Sequence, residues 1–332
     1  MNELTIGLLG ALLATNQPQA VSNVIQQQTG AAVNLASDPV EEELRTVMRG
    51  DDAAQDEVNQ WIHEFDALPQ TNKTQEATQT LNKRILARFD KVRKSYEAFL
   101  RQHPDSAHGF LAYGSFLNDI GDEQGAKVQY ENSRQLDPKN PAVWNNLANY
   151  YGEFSPVTNA FAYYTEAIKL DPTEPVYYQN FATTVYLFRK DAREYYHINE
   201  QQVFDKALDL YRQAMKLDPD NLVLATDYAE SYYGIRPLRT NDSLVAWTNA
   251  LKIAHNDLER EGVLVHLARI KIAAGMFDEA QATLNSITNA ALTDMKRRLE
   301  RSLKDHQNPP PENAPQTPAN PAASTNAPAT GK

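Results

Sequence analysis

The sequence predicts an all-α chain built as a solenoid of stacked helical units. Three observations carry that reading. Leu-Asp-Pro occurs at 136–138, 170–172 and 217–219, and His103-Pro104 is a degenerate earlier copy. The steps between these prolines are 34, 34 and 47 residues, and 47 is 34 plus 13. A fixed period of this size marks repeats that stack and bury one another's apolar faces. Apolar residues recur at helical spacing, and no strand pattern is evident.

Composition narrows the function before any motif does. Of 332 residues, 42% are apolar, enough for a sizeable core. The net charge is -11, from 32 basic and 43 acidic residues. That argues against nucleic acid or an anionic membrane as main partner, since both need a basic face. With no cysteine there is no disulfide, thiolate metal site or Cys nucleophile. No segment has the roughly 18 to 20 apolar residues that span a bilayer.

Residues 1–37 read as a leader and linker. Ile6 to Ala14 is an apolar run the size of a signal-peptide core, but no Lys or Arg precedes it and no small-x-small cleavage site follows. The expectation is a cytoplasmic protein, with an exported or periplasmic component as the alternative if that run directs export. Residues 15–37 are rich in Gln, Asn, Ala and Gly.

Residues 38–90 form an N-terminal helical region. Asp38-Pro39 followed by Glu41 predicts a helix start, with Pro in the first turn and an acid near the positive end of the dipole. Val58, Trp61, Ile62, Phe65 and Leu68 follow at helical spacing. From Asp38 to Asp66 there are ten acids and two Arg; from Leu81 to His103, seven bases and two acids. The second stretch has its own apolar stripe at Leu81, Ile85, Phe89, Val92, Tyr96 and Leu100. An acidic and a basic helix joined around Gln70 to Thr74 should pair, with charge setting the partner more than the stability.

The repeats occupy 91–305. The best copy has Trp144, Leu147, Ala148 and Tyr151, then Ala160, Tyr164, Ala167 and Pro172. The copy before it has Phe110, Tyr113, Gly114 and Leu117, then Ala126, Tyr130, Ser133 and Pro138. The third has Tyr178, Phe181, Ala182 and Val185, then Ala207, Tyr211, Ala214 and Pro219. A fourth runs from Tyr228 to Ile253 and a fifth from Leu264 to Ile287. Val92, Tyr96, Phe99 and Pro104 make a half copy ahead of them. Small residues let backbones approach, and large ones fill the gaps between units.

This pattern resembles the tetratricopeptide repeat, a helix–turn–helix unit with an aromatic, Leu, a small residue and Tyr on its first helix and Ala, an aromatic, Ala and Pro on its second. The resemblance covers about Asp90 to Thr288, and it implies a right-handed α-solenoid. Two insertions depart from it. Residues 188–202 should extend the first helix of the third copy, with Tyr195 and Tyr196 packed against Tyr233-Gly234-Ile235 or, as the alternative, contacting a partner, and an Asn199/Gln202 cap opening the next helix. About five further residues lie near Ile235 to Thr240. Leu292, Met295, Leu299 and Leu303 predict a C-terminal capping helix whose other faces carry Lys296, Arg297, Arg298, Arg301 and Lys304. A basic docking stripe is the alternative reading of those residues. Residues 306–332, with seven Pro after His306 and no large apolar residue, read as a disordered tail.

No catalytic constellation emerges. The seven His lack zinc-helix spacing with a usable third ligand, no Gly-rich loop follows a strand, and no nucleophile elbow is present. The expectation is a non-enzyme without cofactor or metal. An enzyme confined to the first 90 residues would have to work with charge blocks alone. The resemblance implies a scaffold for protein–protein interaction that binds an extended peptide or helix in a concave groove lined by first helices. Between the pattern residues, the groove positions are Asn145 and Asn149, then Gln179, Thr183 and Tyr186, then Thr226, Glu230 and Tyr233, then Val265, Arg269 and Ile272. The positions that clamp a peptide carboxylate in some members are here Leu111, Ser115, Asn146, Val176 and Asn180. None is basic, so that clamp is not carried over. Amides and tyrosines remain, suited to a peptide backbone and to apolar side chains. The alternative is that Asn145, Asn146 and Asn149 only solvate and cap helices. An exported envelope component is the other function kept in view.

Overall fold

The computed structural model describes residues 38–308, apart from Ser155. The apolar run Ile6–Ala14, the stretch 15–37 and the Pro-rich tail lie outside the described residues. Among the described residues there are fourteen α-helices and no strand. They divide into one unit ending at Ile253 and another starting at Ala254.

In the first unit, α1 (Pro39–Asp66) and α2 (Gln75–Gln102) form a long antiparallel pair. Asp38 caps α1 by accepting from the Val40 amide, with Pro39 in the first turn, as its sequence predicts. Thr74 caps α2. The opposed charges meet: Arg88 Nε lies 2.7 Å from Glu57 Oε2, and the Arg84 guanidinium stacks 3.6 Å over the Trp61 ring. α2 runs unbroken through residue 90 into the half copy, where Tyr96 and Phe99 are buried.

Four hairpins follow, each a first and a second helix. They are α3 (Ala107–Asp119) with α4 (Glu123–Leu136), and α5 (Pro141–Glu153) with α6 (Thr158–Leu170). In the third, α7 (Pro175–Leu187) pairs with α9 (Glu200–Leu217) across an inserted α8 (Arg189–Tyr196). The fourth is α10 (Leu222–Ser231) with α11 (Thr240–Ile253). Each first helix also packs on the second helix before it.

The Leu-Asp-Pro element works the same way each time. Helices α4, α6 and α9 end at its Leu, and Asp137, Asp171 and Asp218 then adopt φ of -133°, -139° and -133°. The residue before proline is driven out of the α region, so the helix stops one residue before the ring. Two to three residues on, Asn140, Glu174 or Asn221 caps the next first helix. The pattern aromatic then reaches back: Trp144 Nε1 donates to the Pro138 carbonyl at 2.8 Å, and the Tyr178 hydroxyl donates to that of Pro172 at 3.1 Å. Turn and helix are thereby locked together by sequence-local chemistry.

Close packing needs the small residues. Ala148, Ala160, Ala182, Ala207 and Ala229 are all fully buried. Ala148→Leu should overpack the α5–α6 contact and cost about 1–3 kcal/mol in chemical denaturation. A denaturation midpoint unchanged within error would take Ala148 out of the helix contact.

The first insertion corrects the sequence expectation. It does not extend the first helix: α7 ends at Leu187, Phe188 breaks the run at φ -100° and ψ 42°, and α8 is a separate helix. Nor do its tyrosines turn toward Tyr233-Gly234-Ile235. Tyr195 and Tyr196 pack backward on Phe161 of α6, with ring centroids 5.4 and 5.6 Å away. Lys206 covers the same cluster, its ammonium 4.3 Å from the Tyr196 ring. His197, in the left-handed region at φ 54°, ends α8, and the Asn199/Gln202 capping box opens α9 as its residues predict. The second insertion is tied to α9: Arg239 donates to Asp205 and Gln201, and Gln201 donates to the Arg236 carbonyl.

The second unit holds α12 (Asp257–Ala273), α13 (Phe277–Asn285) and α14 (Thr293–Gln307), with α14 packed on both others. Leu299 and Leu303 face inward, while Arg297, Arg298, Arg301 and Lys304 are exposed. Lys296 instead donates to the Ile287 carbonyl. Glu261 accepts from the amides of Thr288 and Asn289 and from the Thr288 hydroxyl, fixing the turn between α13 and α14. Those donors hold its carboxyl below the usual range.

Candidate functional site

Residues four apart on a helix share a face. On α3, α5 and α7 this rule sets out the rows Leu111/Ser115/Asp119, Asn145/Asn149/Glu153 and Gln179/Thr183/Leu187, and on α10 the pair Val223/Asp227, with Glu230 three residues on. Side-chain bonds tie three of these helices together. Asn180 Nδ2 donates to Asn145 Oδ1 at 3.1 Å, bridging α7 and α5. Gln179 Nε2 donates to Asp227 Oδ2 at 2.8 Å, bridging α7 and α10. Three consecutive first helices, α5, α7 and α10, are thereby tied side by side.

The expected binding residues fall into distinct environments. Asn145 is only 1% exposed; its amide donates to Asn146 and its carbonyl receives Asn180. It is an interhelix tie, not a surface group. Asn149 is exposed and accepts from the Tyr164 hydroxyl at 2.7 Å. Gln179 and Thr183 are half-buried; the Thr183 hydroxyl lies 2.7 Å from that of Tyr211. Tyr186 is 9% exposed, packed on Phe204 and covered by Gly234, where a Cβ would sit 2.1 Å from its hydroxyl oxygen. That close approach explains the glycine at 234 and makes Tyr186 a structural wedge. Thr226 is buried, its hydroxyl donating to the Val223 carbonyl. Glu230 and Tyr233 are half-buried, with the Tyr233 ring 6.1 Å from Trp247.

Arg269, on α12, belongs to the second unit, and so do Val265 and Ile272, which are buried in its core. The exposed groups that sequence reasoning passed over are Leu187, Val223 and Glu153. For Leu187 and Glu153 the signal was available: each continues an i, i+4 row already begun at Thr183 or Asn149. Among the described residues, no group of three His, Asp or Glu side chains is placed to hold a metal ion.

The tetratricopeptide-repeat family model matches residues 141–174, the span of α5, α6 and the turn into α7. The copies on either side repeat its hairpin, its capped turn and its alanine contacts. Residues 141–174 form a tetratricopeptide repeat. Among solved structures, this repeat protein is similar to PilW, a type IV pilus biogenesis factor, at 14% identity, over 70% of this chain and all of that one, with a TM-score of 0.51. It also resembles Pseudomonas aeruginosa pilF, at 13% identity over 79% of this chain and 98% of that one, with a TM-score of 0.48. Among curated proteins it is similar to the RNA polymerase-associated protein CTR9 of Caenorhabditis elegans, 24% identical over 195 residues. The match spans 53% of this chain and 16% of CTR9. The likeness to PilW speaks to the fold alone.

Proposed function

We propose that this protein is a non-enzymatic scaffold that binds a protein partner through an extended peptide laid across the first-helix face. One observation carries the proposal. Three successive first helices are tied laterally by Asn180–Asn145 and Gln179–Asp227, so their rows make one surface of fixed spacing. Exposed on it are an amide, Asn149, and two aliphatic side chains, Leu187 at 44% and Val223 at 49%. An amide pairs with peptide backbone, and exposed aliphatics on the neighbouring helices give side chains a dry place to rest.

The test uses exposed positions. Asn149→Ala, Leu187→Ala and Val223→Ala together should weaken binding of a partner captured from lysate by about tenfold, because central contacts carry a disproportionate share of interface energy. The melting temperature should fall no more than for Tyr164→Phe, because Asn149→Ala removes only the acceptor of the Tyr164 hydroxyl. Tyr186 is left out because its removal would also loosen α7 from α9. Lys169→Ala with Lys216→Ala, exposed on second helices, is the control. Undiminished binding by the triple variant sinks the proposal.

A further inference from the structure

The α1–α2 pair continues past the point where the repeats hold it. Leu44 and Ala54 of α1, with Val92, Tyr96 and Phe99 of α2, belong to the core shared with α3 and α4. Beyond them the apolar stripe runs on toward the connecting turn. There its side chains frame a groove of about 600 Å³. Trp61, Phe65 and Leu68 line it from α1 and its end, Thr80 and Leu81 from α2. Trp61 is buried, Phe65 and Leu81 are half-buried, and Leu68 is 39% exposed. Two helices alone leave the outer edge of their shared stripe open to water, and an apolar segment laid along it would remove that area from water.

The chain carries a segment of matching chemistry. Ile6, Leu8, Leu9, Leu12 and Leu13 fall within nine residues, and no charged residue stands between Leu4 and Ser37. Gly7, Gly10, Ala11 and Ala14 are interspersed with them, and small residues let a backbone come close to a packed surface. The groove suits an uncharged occupant. Its charged lining residues, Glu64, Glu76 and Arg84, are all exposed, and the Arg84 guanidinium is already engaged on the Trp61 ring. Chain length permits the contact. Ala14 precedes the α1 cap, Asp38, by 24 residues. The groove lies about 35–45 Å along α1 from that cap, at a rise of about 1.5 Å per residue. A connection of that length spans up to about 80 Å when extended.

We propose that residues 6–14, which lie outside the described residues, dock in the α1–α2 groove of their own chain. The leucines cover Trp61, Phe65, Leu68 and Leu81, and the hairpin end gains the third apolar surface it lacks. This site uses none of the first-helix residues, so it stands apart from the partner-binding face.

The chain has no cysteine, so introduced pairs report position without background. In the full chain, Ala11→Cys is combined with Thr80→Cys, which lines the groove, or with Ala53→Cys, exposed on α1 and nearer the cap. Both pairs leave every large apolar side chain in place. Disulfide formation under mild oxidation is followed by mass spectrometry. Position 11 should bond position 80 about tenfold faster than position 53, at a rate independent of protein concentration, because docking raises the local concentration at the groove. A tether without docking favours the nearer position 53. Leu9→Ser with Leu12→Ser, added to the groove pair, should bring its rate down to that of the position 53 pair. These two substitutions lie outside the helices and leave the fold untested positions aside.

Bonding at position 53 as fast as at position 80 would overturn the docking. A groove rate unchanged by the two serines would overturn it as well, since apolar burial would then not hold the segment. Crosslinked dimers that increase with protein concentration would overturn the own-chain occupant and seat the segment on a second copy. An intact mass showing that the purified chain has lost residues 1–14 would also overturn the proposal.

Discussion

Replacing Tyr164 with alanine should lower stability by about 3–5 kcal/mol, as for other large buried aromatic residues. Tyr164 is 2% exposed and stacks on Phe181 with centroids 5.3 Å apart, so it joins the second hairpin to the third. Its hydroxyl donates to Asn149 and accepts from Thr184 at 3.2 Å. Truncation removes ring contact on both sides and leaves Thr184 facing a void. Tyr164→Phe keeps the ring and should cost only about 1 kcal/mol. Denaturant unfolding of both variants separates packing from hydrogen bonding. A loss for the alanine variant no larger than for phenylalanine would show that the ring does not couple the hairpins.

Asp51→Asn should raise stability at neutral pH and flatten its pH dependence. Asp51 is buried between α1 and α2, accepts from the Tyr96 hydroxyl at 3.0 Å, and lines a cavity of about 20 Å³ with Asp52, Ser115 and Asp119. Burial pushes its carboxyl up from 3.8 to about 6, while the Tyr96 bond opposes the shift and Asp119 adds to it. Asp119, on the exposed rim, is raised in the same direction by desolvation. A folded pKa above the unfolded one means the folded state holds the proton more tightly. The resulting stability is fully present below about pH 4 and is lost as pH rises through about 6. Two units correspond to at most about 3 kcal/mol at neutral pH. Asn removes the charge and keeps an oxygen for Tyr96. Melts at several pH values between about 4 and 8 should therefore fall for wild type and stay flatter for the variant. Parallel profiles would contradict this.

The sequence exposes the fold wherever local chemistry decides it. Leu-Asp-Pro followed by Asn or Glu contains a stop, a forced extended residue and a cap, and the same turn forms each time. The Asn199/Gln202 box and the Asp38-Pro39 start are equally local. The path of 188–197 is not. Nothing at Leu187-Phe188-Arg189 signals a break, since neither Gly nor Pro is present, and the direction of Tyr195 and Tyr196 is set by Phe161, more than thirty residues upstream. The candidate face divides along the same line. Helical spacing alone lays out the rows from Asn145 to Glu153 and from Gln179 to Leu187. It does not reveal that Asn145 is consumed by Asn180, or that Gly234 closes over Tyr186. Those outcomes depend on which neighbouring helix arrives, and at what distance.

The most direct test of the binding face is site-specific photo-crosslinking. A photoreactive residue is placed at position 149 or 187 on first helices, or at 169 or 216 on second helices, and each protein is irradiated with its captured partner. Crosslinks from 149 and 187 but not from 169 or 216 are the predicted result. Crosslinks confined to 169 and 216 would contradict it and place the partner on the opposite side of the hairpins.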